Sequence, residues 1–222
     1  MNNPNRALLA AALALIVSSS ASAKPIGKAP TPAQRKAFID GAAGWLNDKA
    51  PDIVTFINAN GCNKLGNKKV KLTLKAFKAF VATTASKTDI LFVTPAQLKD
   101  LTGISGAIAV GVTSELKARV AKERGVSLGA AGRHAIATKT NPPAPKEKLG
   151  SDPGGTRFAH ELLHIVLRRL NNEALGGGSR KAEEAADIAN LHHQLTDYFG
   201  WSQFKQSSLP AWSPGGATSQ CG

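Results

Sequence analysis

The sequence predicts an α+β fold, a small sheet followed by two long helices. Three observations lead there. Short apolar runs bounded by Thr-Pro or Gly turn signals stand in the first two thirds of the chain, at 89–93, 107–112 and 133–140. Segments with helical apolar spacing lie between them. After a Pro- and Gly-rich loop, "NPPAPKEKLGSDPGG", two long helical patterns close the sequence without another strand.

The elements follow in order. Residues 1–23 carry Arg6, an apolar run from Ala7 to Val17 and small residues ending in Ala21-Ser22-Ala23. That layout is a secretory signal peptide with cleavage expected after Ala23, since the run is short of the roughly 20 residues a membrane span needs. Residues 24–33, with three prolines, are expected to form an extended linker, and 34–222 one domain with an irregular tail over 200–222. Thr31-Pro32 opens a helix in which Phe38, Ala42 and Trp45 recur at core spacing. "PDIVTFINAN" reads as a short helix stopped by Asn60-Gly61. In "KKVKLTLKAFKAFVATTAS", helical spacing takes over after Thr73. A strand over 89–93 leads to a helix opened by Thr94-Pro95. A second, "AIAVGV", leads to a helix capped by Thr113 or Ser114 and ended before Gly125, and "RHAIATKT" is a third strand.

Charge and cysteine content bound the partners. The formal net charge is +13, or +12 once Arg6 leaves with the signal, which favours an acidic surface or polymer. The lysines are dispersed and aromatic residues make up only 5%, so no specific nucleic-acid signature is present. No second apolar run reaches spanning length after the signal. In an oxidising compartment Cys62 and Cys221 are candidates for a disulfide, with two unpaired thiols as the alternative.

The chemistry concentrates in "FAHELLHIVLRR", residues 158–169. His160 and His164 are four apart and project from one helix face, one turn above the other. Two neutral imidazoles so placed can grip one zinc ion, with Glu161 beside them to take a proton from a water activated by the metal. With five His and seven Glu in the chain, a shuffle places this pattern somewhere in roughly three of a thousand sequences. A zinc hydrolase needs a third protein ligand. The extended motif ending in Gly and a third His fails, because Leu167 and Leu170 occupy those places. Nineteen residues after His164, "AEEAAD" offers Glu183, Glu184 and Asp187.

Together these motifs resemble the gluzincins, the thermolysin-like clan of zinc metallopeptidases, over residues 152–200. The resemblance implies a zincin-like fold, zinc as cofactor, Glu183 as third ligand and Asp187 as the residue orienting His160. A weaker resemblance, to compact neurotoxin- and effector-type zinc proteases, shifts the third ligand to Glu184. Glu183 shares a polar helical stripe with Asp187, Asn190 and Gln194, which favours it, and His192 or His193 in that role is a further alternative. The clan's oxyanion-stabilising Tyr and His have no matching motif here, leaving Tyr198 and His193 as candidates. "RHAIATKT" is the candidate edge strand for an extended peptide. The expected activity is peptide-bond hydrolysis on proteins or peptides, secreted or periplasmic. The alternatives are an envelope hydrolase of peptidoglycan peptides and a basic binding protein with a non-catalytic zinc site, against which the retained Glu161 argues.

Overall fold

The computed structural model describes residues 23–64, 71–139, 155–174, 191–201, 207 and 211–213, less the side chains of 60–64, 155 and 174. The expected signal peptide up to residue 22, Glu183, Glu184, Asp187, Cys221 and the side chain of Cys62 lie outside the described residues.

The predicted α+β class holds. The elements are β1 (Lys24–Pro25), α1 (Pro32–Asp48), α2 (Ala50–Lys64), α3 (Leu74–Ser86), β2 (Thr88–Val93), α4 (Pro95–Thr102), β3 (Ala109–Val112), α5 (Ser114–Arg124), β4 (Val126–Ser127), β5 (His134–Lys139) and α6 (Gly155–Arg169), with a π-helical turn at Leu170–Ala174. A further helical stretch covers 191–198. The motif "TPAQ" opens both α1 and α4. In each, the Thr hydroxyl accepts from the Gln N–H while the Gln side chain accepts from the Thr N–H, and Pro takes the first helical position.

Three details differ from the sequence reading. Helix α2 runs through Asn60-Gly61 to Lys64, because an Asn-Gly pair stops a helix only where the chain turns into the left-handed region. Residues 24–28 are extended but docked: β1 pairs with β4, and Lys28 bridges Phe92 on the outer edge of β2. The third difference is the position of β5. The order is β2-β5-β3, with β2 parallel and β3 antiparallel to β5, so β5 is the centre of the sheet and cannot add a peptide strand. Short apolar strands do not reveal their order. The edge is β3.

Side chains on alternate positions send the sheet into two cores. Ile90 and Ile136 join α1, α2, α3, α6 and the 191–201 region on one face. Leu91, Val93, Ala135 and Ala137 join Leu98, Leu101, Val112, Leu128 and Ile26 on the other. Helix α6 is buried nearly all round, from Phe158 to Val166 on its apolar sides and at His160, Glu161 and Arg169 on its polar ones. Arg169 anchors its end, bonding Thr84 of α3 at 2.8 Å and Glu173 at 2.6 Å while lying over the Phe80 ring.

His134 belongs to this framework. It is 3% exposed, and its Nδ1 accepts the Ser114 N–H at 3.0 Å at the start of α5. Burial holds it below its ordinary pKa, reinforced by Arg169 and opposed by Glu115 and Glu173. The unfolded chain therefore takes up a proton below about pH 6.5 that the folded one refuses, so this contribution to stability falls as pH drops below that point. His134→Gln, which can still accept from Ser114, is expected to be less stable than wild type at pH 7.5 and to close that gap at pH 5. Urea denaturation at the two values measures it.

Candidate metal centre

One ligating nitrogen from each of His160, His164, His192 and His193 lies within 4.8 Å of all the others. The first two come from α6, one turn apart as the spacing requires. The other two come from the stretch 191–198, whose Leu191 and Leu195 are buried against α6, with Phe199 just beyond. His192 and Thr196 fall on that inward face and are 0% exposed. A histidine doublet beside an apolar stripe is the signal that marks them, since a buried polar ring needs a partner.

The imidazoles are held by main-chain groups. His192 Nε2 lies 3.0 Å from the His160 carbonyl, and the His160 ring is bonded to the main chain of Trp201. Sequence reading gave the orienting role to Asp187; among the described residues the Trp201 main chain is a partner of His160. No sequence pattern announces a main-chain partner. Burial, with neighbouring imidazoles, pushes the His160 pKa down to about 3 and those of His164 and His192 well below the ordinary value. They are therefore neutral at physiological pH, the state whose lone pair binds a metal.

Glu161 is 7% exposed and sits where α6 crosses β3. Its carboxylate accepts from the Gly111 N–H, and burial, only partly offset by that bond and by Arg157, raises its pKa to about 8. Gly111 is required by the crossing: a Cβ there would stand 2.5 Å from the Glu161 carbonyl oxygen and 3.3 Å from Ile165 Cγ1. Glycine inside a strand marks such a close approach.

Tyr198 is 39% exposed, and its ring neighbours are Phe199 and Trp212, at 5.1 and 4.8 Å. It belongs to an aromatic cluster that continues through Trp201 to Trp45. His193, by contrast, is brought into the cluster of imidazoles, its ring centre 5.3 Å from that of His164.

A metal fits this donor set. The His192 Nδ1 atom is buried and has no hydrogen-bond partner among the described residues, the condition a metal ion relieves. Four imidazole nitrogens without a sulfur suit a first-row transition metal, zinc, copper, iron and nickel among them. Comparison with protein-family models, curated proteins and solved structures found no match.

Proposed function

We propose that this chain is a zinc-dependent peptidase of zincin-like design, exported from the cytosol and acting on proteins or peptides, including those at an anionic surface. The observation that carries the reading is the convergence of four imidazoles, two of them from α6, with Glu161 buried on that same helix next to His160. A site that only held the chain together would need no such base beside the metal.

His160 and His164 would hold the ion together with histidine from 191–198. Bound zinc supplies Lewis acidity, polarising a carbonyl and acidifying water. Glu161 takes the proton of the attacking water and returns it to the leaving amine. Its raised pKa describes the metal-free protein; a dication close by favours the carboxylate, the form a base requires. The Gly111 N–H fixes that carboxylate against β3. An extended peptide would add to the outer edge of β3, which has no strand partner among the described residues and lies beside Glu161.

Metal analysis combined with digestion of casein and of peptidoglycan, by wild type and Glu161→Gln, tests the reading. Zinc at about one per chain and hydrolysis lost in the variant support it. Zinc without any difference between the two proteins removes the enzyme, and protein that takes up no zinc removes the site.

A further inference from the structure

A catalytic zinc centre uses three protein ligands and keeps a fourth position open, whereas four imidazoles would close it. We infer that His192, through Nδ1, is the third ligand, and that His193 stands at the open side of the centre. The inference rests on the metal-centre reading above and decides which residue completes it.

The His160 carbonyl can only accept a hydrogen bond. His192 Nε2, 3.0 Å away, must therefore carry the ring hydrogen, and Nδ1 is left with the bare lone pair. Among the described residues that atom is buried without a hydrogen-bond partner, in a ring 0% exposed and stacked on His164 at 3.3 Å between centres. His160 bonds the Trp201 main chain in the same way that His192 bonds the main chain of α6. A ring nitrogen tied to a carbonyl fixes the tautomer and aims the other nitrogen at a metal.

His193 is placed differently. It is half-buried, so water can satisfy its nitrogens without a metal. Asp197 stands one turn further on the same stretch, its carboxylate accepting the Ser207 N–H at 2.8 Å. With His160, His164 and His192 as ligands, Glu183 and Glu184 are not required to bind the ion.

The test uses the full chain and zinc alone, with affinity read by competition against a chromophoric chelator and geometry by the visible spectrum of the Co²⁺-loaded protein. Glu, Asn and Gln differ usefully here: Gln places an N–H where Nε2 was and offers nothing at Nδ1. His192→Gln is expected to keep its bond to the His160 carbonyl and its circular dichroism, and to bind zinc about 100-fold more weakly or worse. His193→Gln, Glu183→Gln and Glu184→Gln are expected to stay within about tenfold of wild type. Should His192→Gln lose its fold, His192→Ala with added imidazole is the second variant, and restored Co²⁺ absorption is the expected result. Zinc affinity unchanged in His192→Gln, or lost in His193→Gln or Glu183→Gln instead, overturns the assignment while leaving the metal centre standing. A wild-type chain that binds no zinc overturns the centre itself.

Discussion

Gly111→Val is expected to lower the stability of the protein by about 3 kcal/mol or more and to abolish hydrolysis. Overpacking usually costs about 1–3 kcal/mol, and relief comes when a flexible side chain can move aside. Here the obstacle is the main-chain oxygen of Glu161, 2.5 Å from the new Cβ, in a helix buried nearly all round. Valine also brings two methyl groups toward Ile165. Strand β3 can only move away from α6, and the N–H that fixes the Glu161 carboxylate moves with it. Gly111→Ala is expected to have the same effect to a smaller degree. Thermal unfolding and peptide hydrolysis, measured on both variants, check the ordering: a valine variant as stable and active as wild type would mean that β3 and α6 do not meet at this point.

Glu161→Gln carries the second large effect, and it has opposite signs for activity and for stability. General-base removal is expected to lower the rate by about 10²- to 10⁴-fold with zinc content unchanged. In the metal-free protein the folded state holds the Glu161 proton up to about pH 8, whereas the unfolded chain releases it near 4.5. Between those values the folded state binds more protons, so wild-type stability falls as pH rises through that window. The loss is complete above pH 8 and amounts to at most about 5 kcal/mol. Glutamine does not titrate. In chelator at pH 9, Glu161→Gln is therefore expected to be the more stable protein, and at pH 4.5 the advantage should vanish. Denaturant titrations at both values measure it, and equal stability at pH 9 would mean that the carboxylate is well solvated.

The sequence made helix starts easy to place, because Thr-Pro pairs at 31–32 and 94–95 carry their own capping chemistry. The candidate ligand pair His160 and His164 was equally legible, since four-residue spacing on a helix fixes a common face. Strand order was not: β5 and β3 are both short and apolar, and which one lies at the edge depends on contacts distant in sequence. The rest of the donor set was ambiguous for a related reason. Acidic "AEEAAD" and basic "LHHQL" sit on the same predicted helix, and only the packing of Leu191 and Leu195 against α6 turns the histidine pair inward. Gly111 could have been read from "AVGV", where a glycine between valines marks a close backbone approach.

The near-complete burial of α6 also sets the order in which the centre comes apart. Amide hydrogens from Ala159 to Leu167 should exchange with solvent only through global unfolding, because α1, α3 and the sheet still hold the helix when 191–198 opens. In the stretch 191–198, His193, Gln194 and Asp197 are half-buried and Tyr198 is exposed, and a chelator would reach the ion by way of its opening. Metal release should then follow the local exchange of residues 191–198, leaving the two histidines of α6 ordered and ready to accept the ion again.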